Sequence, residues 1–171
     1  MPKISLAEAV KLKSVLSKQI HDLENEMDRV AFVEIEKGSE IPPKVRNLAQ
    51  VESDLEDVRK DFRLLDKLMY QANIENEISF NNENLPIVEA IEYATQLRAK
   101  ARKYKEFGTA EKEEHPYHFG EGVTIIKLAL FEPEDYRLKA IECERQANRL
   151  SNLINAKNYG VELDFDSEKY F

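Results

Sequence analysis

From Leu48 to Ala72, apolar side chains return at steps of three and four residues without a miss: Leu48, Val51, Leu55, Val58, Phe62, Leu65, Met69 and Ala72. That spacing puts all of them on one stripe of an α-helix, and charged residues fill most positions between them. A stripe sustained over about three and a half heptads must be buried against another helix. The sequence therefore predicts a helix over about 44–76 and a helical partner for it. The preceding segment supplies one, over about 5–30. Ser5 followed by Glu8 forms a capping-box pattern, in which each side chain satisfies a free amide of the first turn. Leu16, Ile20, Leu23, Met27 and Val30 then make its seam. Joined by a compact connection, the two predict a long antiparallel helical hairpin.

Between them, Phe32, Glu34 and Glu36 alternate with Val33 and Ile35 before Gly38 and two prolines. The alternation predicts a short strand over about 31–36, followed by a turn. After the second helix, Asn81, Asn82 and Asn84 read as a loop, with Pro86 where the next helix starts. That third helix, about 86–107, has the seam Ile87, Ala90, Ala94, Leu97, Ala101 and Tyr104. A fourth, about 133–157, has Tyr136, Ala140, Cys143, Ala147, Leu150 and Ile154. Glu134 and Asp135 stand in its first turn, where the helix dipole favours negative charge. Small seam residues let helix axes approach, so these two helices are expected to pack tightly. The expected architecture is mainly α: a single domain over 1–171, built as a four-helix bundle with a long antiparallel helical hairpin and a few short β-strands.

The segment Val123–Phe131 is polar only at Thr124 and Lys127. As a strand over about 123–131 it needs cover on both faces and pairing along its edges. The partners in view are about 31–36 and a strand at about 161–165 (Val161–Phe165); another subunit is a third. The other reading of the segment is the buried start of the fourth helix.

The bulk numbers narrow the function classes. Charged residues reach 34% with only five Gly, which favours solvated helices over an all-β fold. A net charge of −8 opposes general binding to nucleic acid or to anionic membranes, both of which need a positive surface. Cys143 is the one cysteine, so no intrachain disulfide forms. The opening residues hold no apolar leader, and no apolar run approaches the roughly 18 residues of a membrane span. Neither a nucleic acid nor a membrane is expected as partner, and the cytoplasm is the expected location.

Four places could carry chemistry. Arg98, Arg102 and Lys105 fall on one face of the third helix. They could hold an anionic or nucleotide-like ligand, with Tyr117 as a stacking partner, or they could be ordinary cations near a helix C-terminus. His115 and His118, beside Glu113 and Glu114, could hold a metal or move a proton, or be solvated residues of a loop. Cys143 lies on a seam and reads as a small buried hydrophobe. Asn73, Asn76, Asn155 and Asn158 stand at helix ends, where they could cap free carbonyls or gather round a pocket. No glycine-rich phosphate loop, His-Glu-x-x-His or Gly-x-Ser-x-Gly occurs, no catalytic residue is singled out, and no cofactor is expected.

Three segments in order resemble the septicolysin-like family of small bacterial helical proteins. They are the opening Ser5–Met27 with its strand-like sequel, the middle Tyr70–Ile78, and the closing Leu150–Leu163 with its Asn-aromatic pair. The resemblance touches nearly the whole chain. It departs between about Tyr104 and Gly122, which is longer here, and in the Arg-rich third helix, which is matched only in part. It implies a helical fold and supplies no catalytic residue; the cytolysin activity in the family name is not carried over.

The expected function is therefore a non-enzymatic, self-associating interaction or scaffold protein, acting as a homo-oligomer. The alternative is a binder of a small anionic or nucleotide-like molecule. A membrane-active protein, built on the amphipathic helices, stands behind both.

Overall fold

The structure is a computed structural model that describes residues 2–119 and 122–171, and the side chains of all these except 117–119. Among the described residues there are four helices: α1 (Leu6–Ala31), α2 (Leu48–Glu75), α3 (Ile87–Gly108) and α4 (Pro133–Gly160). Six short strands pair two by two: β1 (Ile4–Ser5) with β6 (Glu162–Leu163), β2 (Glu77–Phe80) with β3 (Glu83–Pro86), and β4 (Glu113–Phe119) with β5 (Val123–Leu128). The chain is thus mainly helical. It forms two compact units, one running up to Asn76 and taking in Lys157–Phe171, the other Glu77–Ala156.

In the first unit, α1 begins where its capping box sets it. Ser5 Oγ accepts from the Glu8 amide at 3.1 Å, and the Glu8 carboxylate accepts from the Ser5 amide at 2.7 Å. α2 begins at Leu48, later than the expected 44, because Asn47 and Gln50 make a second such box with both bonds at 2.9 Å. The two helices run antiparallel: Lys13 pairs with Asp66, Glu24 with Arg59 at 2.9 Å and Glu26 with Arg46 at 2.8 Å. Leu6, Leu12 and Leu16 of α1 and Val51, Leu55 and Leu65 of α2 are fully buried.

The expected strand over 31–36 is not formed. Residues 32–47 are irregular, and Phe32, Val33 and Ile35 are exposed. Alternation alone makes no strand without an edge to pair with. Here the backbone carbonyls of Val30 and Phe32 are instead taken by the Lys44 ammonium, at 2.8 and 3.1 Å. The strand expected at 161–165 is real but shorter, and its partner is β1, with Ile4 opposite Leu163.

In the second unit, the asparagines read as a loop are the turn of a tight hairpin. Asn81 and Asn82 adopt φ of 50° and 64°, the left-handed pair that a two-residue hairpin turn requires. Ile78, Phe80 and Leu85 face inward, and Phe80 meets Tyr93 edge-on at 5.8 Å. The α3 seam from Ile87 to Ala101 is buried throughout, as are Ala140, Ala147, Leu150 and Ile154 of α4. Cys143 is only half-buried, which corrects its reading as a buried hydrophobe.

Contacts from Arg98 to Ser151 and from Gly108 to Arg137 make α3 and α4 antiparallel. At Gly108 the approach is closer than a side chain permits: an added Cβ would lie 2.8 Å from both the N and the Cα of Arg137. Backbone atoms cannot swing aside as a flexible side chain can. Gly108→Ala is expected to cost about 1–3 kcal/mol in denaturant unfolding. Gly160→Ala, with nothing within 4 Å of the new methyl group, should be close to neutral.

Next to Gly108 four rings interlock. Phe107 lies 5.2 Å from Phe131 and 5.6 Å from Tyr136, and Tyr104 lies 5.4 Å from Tyr136. The two Tyr136 pairs are edge-on and Phe107–Phe131 is tilted; such aromatic pairs add roughly 0.5–1.5 kcal/mol each beyond burial. They tie the end of α3 to the start of α4 and to the foot of the β4–β5 hairpin.

Candidate functional site: an exposed apolar hairpin and an arginine cleft

β5 is a strand, as one of the two readings of Val123–Phe131 required, but it ends at Leu128, and among the described residues it pairs with β4 alone. The segment around His115 is therefore strand β4 and not a loop. The expectation of cover on both faces fails: every β5 residue is exposed. Val123 is 69% accessible, Ile125 49%, Ile126 39% and Leu128 53%, and Leu130 just beyond reaches 96%. Successive strand residues point to opposite faces, so β5 exposes apolar side chains on both, Val123 and Ile125 on one and Ile126 and Leu128 on the other. Its foot is fixed by bonds from the Ala129 amide to the Lys112 carbonyl at 3.0 Å and from Lys112 Nζ to the Phe131 carbonyl at 3.0 Å. Beside the foot lies a groove of about 400 Å³, with Phe107, Ala110, Leu128 and Phe131 inside and Glu106 and Glu111 at its edge.

The second feature gathers two of the expected ligand residues. Arg98 and Arg102 of α3, and Glu144 and Asn148 of α4, line a cleft of about 310 Å³ over Ala101 and Ala147. The small side chains of the two seams leave this space. Arg98 Nη2 donates to Ser151 Oγ at 2.5 Å. Among the described residues, Arg98 and Arg102, like Arg29 and Arg149, have no carboxylate within ion-pair distance, whereas Arg46, Arg59, Arg63, Arg137 and Arg145 do. Lys105 is exposed and does not line the cleft. The Tyr117 side chain lies outside the described residues.

Of the two histidines, His115 is exposed with Nε2 3.8 Å from Glu113, and the side chain of His118 lies outside the described residues. Among the described residues no group of three or more His, Cys, Asp and Glu could hold a metal ion. Of the four asparagines, Asn76 caps α2, its Nδ2 donating to the Ala72 carbonyl at 2.9 Å, whereas Asn158 Oδ1 is buried without a partner among the described residues.

A cluster that sequence reasoning missed lies in the first unit, where Lys169 and Tyr170 at the end of the chain both bond to Asp61 of α2. Partial burial pushes the Tyr170 hydroxyl up, and its bond to Asp61 adds to this, reaching about 12. Partial burial also pushes the Asp61 carboxyl up, but the bonds from Lys169 and Tyr170 outweigh it and hold the group below its ordinary value. The signs follow. Tyr170 binds as the neutral phenol, so its contribution is complete below about pH 10 and is lost as pH rises towards about 12. Asp61 binds as the carboxylate, so its contribution is present above the ordinary carboxylate range and lost as pH falls through its depressed value. In a near-ultraviolet titration, the tyrosine component that ionises near 12 should be missing from Tyr170→Phe. No long-range signal in the sequence pairs residue 61 with residue 170.

No protein-family model matches the chain, and no curated protein matches it. Among solved structures, the chain resembles a functionally unknown conserved protein from Corynebacterium diphtheriae. The match has a TM-score of 0.63 and 19% identity, and covers 95% of this chain and 100% of the other. At that identity the likeness is one of fold. Among the described residues, no helix is long and apolar enough to cross a membrane.

Proposed function

We propose that this chain is a non-enzymatic, self-associating interaction protein, and that the β4–β5 hairpin is its contact arm. The observation that supports this is the exposure of a strand that is apolar on both faces. A two-stranded hairpin is marginal alone, and covering the part of each β5 Val, Ile or Leu that is still exposed contributes roughly 0.5–2 kcal/mol. The heptad stripe of α2 does not serve this purpose, because Val51, Leu55, Val58, Leu65 and Ala72 are already buried within the chain.

A second copy is the occupant this surface suits. The arm and the apolar groove at its foot lie side by side, so one patch offers both a projection and a recess, as a two-fold interface requires. Lys127, which lines the groove and lies 3.8 Å from Glu114 in its own subunit, can exchange that exposed contact for a carboxylate of the partner. The four-helix bundle expected from the sequence belongs to the same proposal, as do a cytoplasmic location and kinship with the septicolysin-like proteins. Hydrogen exchange tests the arm itself. The amides of Val123–Leu128 should be protected in concentrated protein and exchange freely on dilution. Exchange of those amides that is independent of concentration would contradict the assignment.

A further inference from the structure

We infer that the cleft between α3 and α4 is a binding site for a small soluble molecule carrying an anionic group and an amine. Arg98 and Arg102 are one turn apart, about 6 Å along the helix axis, which suits two guanidinium groups closing on one phosphate, phosphonate or carboxylate. In a chain of net charge −8, both lack an ion-pair carboxylate among the described residues, as Arg29 and Arg149 also do, but of these only Arg98 and Arg102 line one cleft together. Ser151 holds Arg98 from α4 at 2.5 Å, which lowers the ordering cost of binding.

Glu144, on the opposite wall, sharpens the ligand class. A lone anion would meet its repulsion, whereas a ligand whose positive end lies towards α4 satisfies both walls. Asn148 offers a donor and an acceptor beside it. The floor of Ala101 and Ala147 and the volume of about 310 Å³ admit a molecule of metabolite size, at the low end of ligand pockets. The site uses neither the hairpin nor its groove, so it stands or falls apart from self-association.

The matched probes are 3-aminopropylphosphonate and propylphosphonate, which differ by the amine alone, titrated into the full chain and followed by amide NMR. The aminated probe is expected to shift the Arg98, Ala101, Arg102 and Asn148 resonances and to bind about tenfold more tightly than the plain one. Arg102→Gln, an exposed substitution, should weaken both probes by about tenfold or more. Glu144→Gln should remove the preference for the amine and leave propylphosphonate bound at least as well. Absence of these shifts at millimolar probe, or wild-type affinity in Arg102→Gln, would overturn the site. Equal affinity of the two probes in the wild type would overturn the role of Glu144 and the ligand class with it.

Discussion

Leu65→Ala is expected to lower the unfolding free energy by about 2–5 kcal/mol, and Leu64→Ala, its neighbour on α2, by less than about 0.5 kcal/mol. Leu65 is fully buried on the stripe that faces α1, and Leu64 is 45% exposed. Removing the Leu65 side chain empties a packed site between two long helices whose axes are held by Lys13–Asp66 and Glu24–Arg59, so the site cannot simply collapse. At Leu64 the lost atoms were already partly wet, and alanine is the better helix former. Chemical denaturation measures both. Equal costs at the two positions would mean that the stripe read from the sequence is not the buried face.

Ile126→Lys is expected to break self-association while leaving the subunit folded. Ile126 is 39% exposed, so covering the rest contributes only about 0.5–1 kcal/mol per copy. A two-fold interface counts it twice and the lysine adds an ammonium to the seam, so the dissociation constant should rise by at least roughly tenfold. The exposure of Ile126 leaves room for the lysine to reach water in the separated subunit, so the far-ultraviolet circular dichroism should not change. A variant that unfolds, or one that associates as the wild type does, would each count against the arm as the contact.

Residues that declare themselves through local chemistry were legible in the sequence. The Ser5–Glu8 box places the start of α1, and the stripes of α2 and α3 are buried nearly position for position. The exceptions on α2 are Phe62 and Met69, which are half-buried, and Leu48, 39% exposed because it is the first residue after the Asn47 cap. Arg98 and Arg102 were singled out by helical spacing, and the cleft contains both, but Glu144, Asn148 and Ser151 come from a helix some fifty residues away and could not be attached to them by pattern. The same limit hid Asp61 with Tyr170. Pairing partners were the other gap. Alternation at 31–36 resembles that of a strand, yet only tertiary structure decides whether an edge is present. The asparagine hairpin was legible in principle, since Asn81-Asn82 between short alternating segments is turn chemistry of the two-residue kind.

Self-association through the hairpin is the central claim, and sedimentation equilibrium over a wide concentration range tests it most directly. A mass that rises with concentration from 19.9 kDa to a fixed multiple, and stays at 19.9 kDa in Ile126→Lys, is the predicted result. A single species of 19.9 kDa at every concentration would contradict it.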